Sequence, residues 1–301
     1  CHFFPNVLGH EFSGIVEEIG DGVTKVKPGT RVAGVPLVPC MKCEDCQKGN
    51  YSLCKHYSFI GSREFGSFAE YVVVPEMNAV PFEDAVSFEQ GAFFEPATVA
   101  LHGLKRVPYE GGKTVAILGG GTIGMFVMQW ANIFGAAKTV VFDISPERLE
   151  LGKRLGATHG VNTLDEDFME QVKELTDGKG FDYVFETAGN TITMKMAFEL
   201  AANKANVCFV GTPTKDLTFS VKEWENMNRK EFNLTGSWMS YSAPFPGEEW
   251  KLVAEYFKNG KLKFDESFIF RKTPLSEIAS AFEMYKTPGT VKGKILVDSE
   301  K

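Results

Sequence analysis

From about residue 114 the hydrophobic positions follow a regular rhythm, in which continuous apolar runs alternate with helical patterns. The apolar runs are "TVAIL", "TVVFD", "FDYVFET" and "ANVCFVG". The helical patterns between them are "IGMFVMQWANIFGA", "SPERLELGKRLGA", "EDFMEQVKELT" and "TMKMAFELA". Strands that lack polar alternation are buried on both faces, as in a parallel sheet covered by helices. The pattern therefore predicts an α/β fold with a doubly wound parallel sheet.

The first hundred residues have a different pattern, with short β-like runs separated by Gly and Pro. Examples are "GIVEEIG", "TRVAGVP" and "FAEYVVVP", each bounded by turn residues as in an antiparallel or barrel-like domain. After "NLTGSW" a proline-rich loop, a helix over "EEWKLVAEYFKNG" and a strand-like "KILVD" follow. We expect a β-rich domain over 1–105, an inserted nucleotide-type domain over 106–238, and a return to the first domain over 239–301.

Composition narrows the possible partners of the chain. Its 301 residues carry a net charge of −7 without a Lys/Arg run, which argues against nucleic acid and anionic membrane surfaces as partners. No apolar stretch approaches the roughly 20 residues of a membrane span, and no secretory signal is visible. The predicted partner is a small molecule. The cysteines cluster as in a metal site, which differs from a disulfide framework, and this usage predicts the reducing cytoplasm as the compartment.

Four of the six cysteines fall within the fifteen-residue stretch "CMKCEDCQKGNYSLC". Cys40, Cys43, Cys46 and Cys54 have the spacing of thiolates that wrap one ion, and four sulfurs leave no open position on a tetrahedral zinc. The stretch therefore predicts a structural zinc lobe at about 39–56. Two alternatives are an iron–sulfur cluster, which also uses closely spaced cysteines, and four unrelated thiols.

A glycine-rich turn follows the strand-like "TVAIL" and opens a helix. Its residues are Gly119, Gly121, Thr122, Ile123 and Gly124, which form the G-x-G-x-x-G pattern that lets a backbone approach a pyrophosphate at a helix N-terminus. Asp143 ends the next strand, where an acid accepts hydrogen bonds from the ribose hydroxyls of NAD and repels a 2′-phosphate. Arg148 leaves NADP open, because an Arg can bind that phosphate.

Two further stretches, "GHEFSG" and "FFEPATVALH", contain possible metal ligands. His10, Glu11 and Glu95 are the candidates. Taken singly, however, a histidine near a strand or a glutamate before proline is more often a structural or capping residue. Pattern alone leaves the metal role of these residues open.

Together these features resemble the medium-chain, zinc-dependent alcohol dehydrogenase superfamily. The matching motifs run in the family order: "GHEFSG", the cysteine lobe, "FFEPATVALH", "LGGGTIG", "VFDIS", "ETAG" and "VGTP". The resemblance implies a Rossmann domain combined with a GroES-like catalytic domain. It also implies a structural zinc, a catalytic zinc and NAD as cofactors, and a homodimer formed through the inserted domain.

The resemblance implies a role for each matching residue. His10 and Glu95 would be ligands of the catalytic zinc, and Glu11 would be a carboxylate near the metal or exchanging with a ligand. The cofactor site would combine the glycine turn with residues that border the adenine, nicotinamide or pyrophosphate: Thr98, Asp143, Arg148, Ala188, Gly211, Thr212, Ser237 and Lys294.

Within the superfamily, "FIGSREFGSFAEYVVV", "LTGSWMSYSAPFPGEEW" and a glutamate at position 95 resemble the polyol-phosphate dehydrogenases. The implied reaction passes a hydride from galactitol 1-phosphate to NAD and gives tagatose 6-phosphate, with zinc lowering the pKa of the substrate hydroxyl. Arg63 is the candidate for gripping the phosphate, although it also fits an ordinary loop arginine. Alternatives are an unphosphorylated polyol, a diol or threonine as substrate, and a non-catalytic nicotinamide-binding protein.

One part of the family pattern is missing from this sequence. The family places its first catalytic ligand, a cysteine, in a glycine-rich loop upstream of "GHE", and this sequence enters the pattern after that loop. We therefore expect a GroES-like domain truncated at its N-terminus and a catalytic site short of one ligand. Cys1 is a candidate for that ligand, although it matches a position without a known role in the family.

Overall fold

The chain divides into two compact units in the computed structural model, which describes residues 4–287 and 289–299. One unit comprises Cys1–Thr98 and Ser240–Lys301, and the other comprises Val99–Met239. The second unit is thus inserted into the first. Cys1, considered above as a metal ligand, lies outside the described residues.

Short strands and turns dominate the first stretch of the first unit. The strands are β1 (Ser13–Ile15), β2 (Arg31–Gly34), β3 (Leu37–Val38), β4 (Ser58–Phe59) and β5 (Ala79–Pro81), and the helices are α1 (Glu44–Gln47), α2 (Phe88–Ala92) and α3 (Phe94–Lys105). An antiparallel sheet is formed by β1, β2 and β5, while β3 pairs with β4. A capping box between Ser87 and Gln90 begins α2 and satisfies two main-chain donors that would otherwise lack partners.

The run "FAEYVVVP", which the sequence predicts as a strand, is not one in the structure. Residues 71–75 have no regular secondary structure, and Tyr71 and Val73 are largely exposed. The alternation of apolar and polar residues favours an extended backbone, but a ladder also requires a neighbouring strand. Among the described residues, none pairs with this segment.

The second unit is a parallel sheet with connecting helices. Its elements are β6 (Thr114–Leu118), α4 (Thr122–Ile133), β7 (Lys138–Asp143), α5 (Pro146–Leu155), β8 (His159–Asn162), α6 (Phe168–Thr176), β9 (Phe181–Glu186), α7 (Thr191–Leu200), β10 (Ala201–Phe209), α8 (Val221–Lys230) and β11 (Asn233–Gly236). The strand order is β11-β10-β9-β6-β7-β8, and every pair is parallel. This sheet confirms the predicted doubly wound fold.

Helix α5 shows how the local sequence builds this unit. Ser145 caps its N-terminus through a bond to the Arg148 amide, Pro146 occupies the first helical turn, and Gly156 ends the helix with φ +113°, a conformation that favours glycine. Leu149 and Leu155 on its inner face are buried. Each contributes about 2 kcal/mol through removal of its apolar surface from water.

The strand order places a switch point beside β6. The chain runs outward from β6 through β7 to β8 and then crosses to β9 on the opposite side of β6. Loops that leave the carboxyl ends of strands at such a point diverge and create a crevice, which is where ligands bind in open α/β sheets. The glycine turn follows β6, and "TAG" follows β9.

The chain returns to the first unit through α9 (Glu248–Lys258), β12 (Ile269–Pro274), α10 (Ile278–Tyr285) and β13 (Lys294–Asp298). Strands β12 and β13 form a parallel pair. Trp250 of α9 is fully buried, and Phe257 stacks on Phe94 with 5.8 Å between ring centroids. The returning segment therefore shares a core with α3.

Candidate metal and nucleotide sites

The four clustered cysteines converge around one point in the first unit. All four sulfur atoms lie within 4.8 Å of one another, with Sγ–Sγ distances of 4.0 Å for Cys40–Cys46 and 3.9 Å for Cys43–Cys54. Sulfurs bound at about 2.3 Å to a tetrahedral zinc are about 3.8 Å apart. The cluster therefore fits one zinc ion, and it is too compact for an iron–sulfur cluster.

Main-chain amides around this cluster favour thiolates. The amide of Cys43 donates to Cys40 Sγ, and the amide of Cys40 donates to Cys54 Sγ, both at 3.3 Å. The Cys46 amide is the largest of several influences that lower the pKa of Cys43 to about 6, whereas burial raises the pKa of Cys46. Because the thiolate is the form that ligates a metal, these amides prepare the lobe to hold zinc.

A second cluster joins His10, Glu11 and Glu95, whose donor atoms also lie within 4.8 Å of one another. His10 and Glu11 follow the turn at Gly9, whereas Glu95 lies in the first turn of α3. An imidazole nitrogen and carboxylate oxygens are donors that zinc accepts. The residue types and their convergence thus fit a metal ion.

Close backbone packing positions His10. Gly9 adopts φ +96°, and a Cβ added at either Gly61 or Gly66 would lie 2.3 Å from the Gly9 carbonyl oxygen. Only glycine allows the loop around these two residues to approach so closely. The His10 ring also packs edge-on against Phe59, with 5.5 Å between centroids.

The surroundings of this cluster change the pKa values of two of its residues. Desolvation lowers the pKa of His10, which favours the neutral imidazole that can donate a lone pair. Burial, together with the neighbouring Glu11 carboxylate, raises the pKa of Glu95. Lys294 Nζ lies 2.5 Å from both oxygens of Glu11 and compensates part of the negative charge.

The structure gives Thr98 and Lys294 partners within the first unit. The sequence predicts both residues to contact the cofactor. Lys294 forms the ion pair with Glu11, while the Thr98 hydroxyl is buried between the Glu95 carbonyl and Ser240. Their contact with a cofactor stays a prediction.

In the second unit, the glycine turn forms a cradle at the start of α4. Gly119 adopts φ +103°, and a Cβ at Gly124 would lie 1.9 Å from the Gly119 carbonyl oxygen. A Cβ at Gly121, in contrast, would meet no atom within 4 Å, so its surroundings leave space for a ligand. Thr122 and Ile123 form the first turn of α4, where main-chain amides can bind a pyrophosphate.

Asp143 ends β7 beside this cradle and is 8% exposed. Its Oδ2 accepts from the Gly120 amide at 2.7 Å, and its Oδ1 accepts from the Ser145 amide at 2.9 Å. Arg148 Nη1 lies 3.4 Å from Oδ2. The predicted acid and the predicted arginine are therefore brought together.

The remaining predicted cofactor residues of this unit follow the neighbouring strands. Ala188 lies against Gly119, and a Cβ added at Gly119 would lie 3.0 Å from the Ala188 Cβ. Gly211 and Thr212 follow β10 and pack against Gly189. Ser237 follows β11, and its buried hydroxyl has no hydrogen-bond partner among the described residues.

Sequence reasoning missed one residue at this edge of the sheet, Glu186. Its side chain is fully buried, and Oε1 accepts from the amides of Ala188 and Gly189 at 3.0 Å and from Thr193 Oγ1 at 2.7 Å. Its main-chain carbonyl accepts from the Gly211 amide at 2.9 Å. The signal in the sequence is an acidic residue that ends an apolar run, the same signal that identifies Asp143.

Arg63 lies on the loop that contacts Gly9. Its Nη1 donates to the Tyr57 carbonyl at 2.9 Å, and the guanidinium lies 3.9 Å from the centroid of the Tyr57 ring. The side chain is half-buried. These contacts hold the guanidinium in place and use one of its five N–H donors.

No helix among the described residues is long and apolar enough to cross a membrane.

Two family models match the chain: that of the alcohol dehydrogenase GroES-like domain over residues 2–84, and that of the zinc-binding dehydrogenases over residues 122–256.

Individual relatives match over most of the chain. Galactitol 1-phosphate 5-dehydrogenase of Escherichia coli (strain K12) is 40% identical over 265 residues, which cover 88% of this chain and 77% of the relative. D-arabitol-phosphate dehydrogenase of Enterococcus avium is 31% identical over 299 residues, which cover 98% of this chain and 82% of the relative.

Two solved structures give the same result. The crystal structure of galactitol-1-phosphate dehydrogenase from Escherichia coli superimposes with a TM-score of 0.92 at 38% identity and covers 98% of this chain and 85% of that one. A zinc-binding dehydrogenase from Sinorhizobium meliloti 1021 bound to NADP superimposes with a TM-score of 0.87 at 30% identity and covers 99% and 84%.

Proposed function

Because this chain belongs to the zinc-dependent alcohol dehydrogenase family, we propose that it oxidises a secondary alcohol of a polyol phosphate with NAD. The proposed reaction converts galactitol 1-phosphate into tagatose 6-phosphate. The observation that supports this choice is the 40% identity to galactitol 1-phosphate 5-dehydrogenase over 88% of the chain. A second polyol-phosphate dehydrogenase matches almost the whole chain.

In this proposal His10 and Glu95 hold the catalytic zinc, with Glu11 as a neighbouring carboxylate. A zinc ion there supplies Lewis acidity that lowers the pKa of the substrate hydroxyl. His10 is suited to the role because desolvation by its surroundings lowers its pKa and favours the neutral imidazole. Lys294 neutralises Glu11 and so limits the negative charge that gathers around the donors.

The second unit supplies the cofactor site in the proposal, and NAD accepts the hydride. The cradle of Gly119, Gly121 and Gly124 would receive the pyrophosphate at the start of α4. Asp143 would accept from the ribose hydroxyls and repel a 2′-phosphate. Arg148, held by Asp143, would not be free to bind such a phosphate, which supports NAD over NADP.

Arg63 is the proposed contact for the substrate phosphate. Its loop packs against the residue that precedes His10, so its position is tied to that of the proposed metal ligand. The ring of Tyr57 fixes the plane of the guanidinium, and a fixed planar fork suits a phosphate. The Tyr57 carbonyl accepts one N–H bond from Arg63, and the other N–H donors of this guanidinium are those proposed to bind the phosphate.

Turnover by the zinc-loaded chain tests the proposal. NADH formation is followed with galactitol 1-phosphate, galactitol, sorbitol, butanediol and threonine. We expect kcat/KM for galactitol 1-phosphate to exceed that for galactitol by at least about 100-fold, because a built phosphate contact is lost in the second substrate. Equal kcat/KM values would favour an unphosphorylated polyol, and NAD binding without turnover of any substrate would favour a non-catalytic role. A homodimer and a cytoplasmic location stay predictions.

A further inference from the structure

The cysteine lobe packs directly against the first residues of the segment that returns to the first unit. Ser52 of the lobe accepts from the Tyr241 amide at 3.2 Å and donates to the Tyr241 carbonyl at 3.4 Å. Ser52 is 8% exposed and Tyr241 2% exposed. One hydroxyl on the lobe thus satisfies both main-chain groups of a buried residue.

Two further contacts close this interface. The Tyr51 ring meets Phe245 edge-on with 5.3 Å between centroids. Gly49 adopts φ +79°, and a Cβ there would lie 2.7 Å from the Ala243 Cβ. Since the Gly49 backbone packs this closely on the Ala243 side chain, we expect a shift of the lobe to shift residues 240–245 as well.

The neighbouring residue, Ser240, continues the contact toward the second metal cluster. Ser240 Oγ lies 2.8 Å from Thr98 Oγ1, and Thr98 Oγ1 donates to the Glu95 carbonyl at 2.7 Å. Because a carbonyl only accepts, the Thr98 proton points to Glu95, and Ser240 must donate to Thr98. Both hydroxyl residues are fully buried, where a lost partner is costly.

We propose that Ser52 and Ser240 are positioning residues through which the cysteine lobe sets the orientation of Glu95. The connection runs from Ser52 to the Tyr241 main chain, to Ser240, to Thr98 and to the first turn of α3. The lobe would then contribute to the metal affinity of the His10–Glu95 cluster as well as to its own stability. This inference rests on the proposed metal role of Glu95.

Metal titration of the full chain tests the inference without an activity assay. The metal-free protein is titrated with Co²⁺ against a competing chelator. The two sites are distinguished by the sulfur-to-cobalt absorption of the four-thiolate lobe, which a site of nitrogen and oxygen donors lacks. We expect Ser52→Ala and Ser240→Ala each to weaken Co²⁺ binding at the His10–Glu95 cluster by about 10-fold, as outer-shell partners do, without changing binding at the lobe. The double variant should be no weaker than the worse single variant, because both lie in one connected chain.

Ser242→Ala is the matched control. Its hydroxyl, two residues from Ser240, makes a bond of 2.7 Å to Glu249 that is not part of the connection. We expect Ser242→Ala to lose about as much thermal stability as Ser52→Ala and Ser240→Ala, but to bind Co²⁺ with wild-type affinity. Thr98→Val, which removes the central hydroxyl at nearly constant volume, should reproduce the 10-fold loss, and Thr98→Ser should restore affinity.

The possible results separate the inference from the proposed function. A wild-type chain that binds two Co²⁺ ions, with Ser52→Ala and Ser240→Ala variants that bind both as tightly, would overturn the inference and leave the proposed function standing. A wild-type chain that takes up Co²⁺ only at the lobe would overturn the metal role of Glu95 and the inference with it.

Discussion

The main-chain amide of Gly120 donates a hydrogen bond of 2.7 Å to Asp143 Oδ2. This bond ties the middle of the glycine turn to the end of the next strand. The carboxylate is buried and also accepts from the Ser145 amide. Asp143 therefore shapes the cradle that is proposed to receive the nucleotide.

Replacing Asp143 with Asn should weaken NAD binding and reduce the discrimination against NADP. Loss of the charge removes a charge-assisted bond and the repulsion of a 2′-phosphate, effects worth about 1–3 kcal/mol or about 10–100-fold. The KM values for NAD and NADP, measured at one substrate concentration, give the NAD to NADP ratio of the variant and of the wild type. Asp182→Asn is a control, since Asp182 accepts from Thr114 at the opposite end of the sheet. An unchanged NAD to NADP ratio would contradict the proposed selectivity.

The parallel sheet could be predicted from the sequence because its inner strands are buried on both faces. The strands β6, β7, β9 and β10 appear as apolar runs for that reason. The outer strands β8 and β11 do not, because His159–Asn162 is partly exposed and Asn233–Gly236 is largely exposed. Their place in the sheet depends on pairing with a neighbour, which a local pattern does not contain.

The candidate sites also differ in how far a local sequence pattern predicts them. The cysteine ligands are close in sequence, so their spacing alone predicts a metal site. His10 and Glu95 are far apart, and only the family resemblance predicts that they meet. The resemblance predicts Lys294 at a pyrophosphate, whereas its contact with Glu11 depends on the pairing of β12 and β13 in three dimensions.

Glu186 should be required for the loops that border the nucleotide cradle. Glu186→Ala leaves the buried amides of Ala188 and Gly189 without their acceptor, which should cost about 3 kcal/mol of unfolding free energy and raise KM for NAD. Glu186→Gln retains a carbonyl oxygen for the same donors and should lose less in both measurements. Urea unfolding and NAD titration of the two variants provide the comparison. An NAD affinity of Glu186→Ala equal to that of the wild type would show that the loops are unchanged, and it would contradict this role.

Glu186 should also make the stability of the protein depend on pH. Burial raises its pKa above the usual value, so between that usual value and the raised one the folded state binds more protons than the unfolded state. The free energy of unfolding then rises as the pH falls through this window. Glu186→Gln cannot titrate and should lack this contribution. Urea midpoints of both proteins between pH 7 and about 5 test the sign, and parallel curves would exclude the effect.

Substitution of a lobe cysteine should remove one zinc ion. In Cys54→Ser the hydroxyl replaces a thiolate, and the remaining three sulfurs hold zinc weakly. Metal analysis should show one zinc fewer per chain than in the wild type, together with a lower melting temperature. Cys208→Ser is the control, because that buried thiol lies in the second unit and contacts the Gly103 carbonyl instead of a metal cluster. Equal zinc content in Cys54→Ser and the wild type would contradict the lobe assignment.

Arg63 should distinguish phosphorylated from unphosphorylated substrates. If its guanidinium binds the phosphate, Arg63→Ala should raise KM for galactitol 1-phosphate by about 100-fold, or about 2.7 kcal/mol, and leave KM for galactitol unchanged. Arg63→Lys keeps the charge but loses the planar fork and its contact with the Tyr57 ring. Its KM for galactitol 1-phosphate should therefore fall between those of the wild type and Arg63→Ala. Arg229→Ala, which removes an exposed arginine paired with Glu225, controls for net charge. If Arg63→Ala lowered kcat/KM equally for both substrates, Arg63 would only support the loop beside His10, and the phosphate contact would have to lie elsewhere.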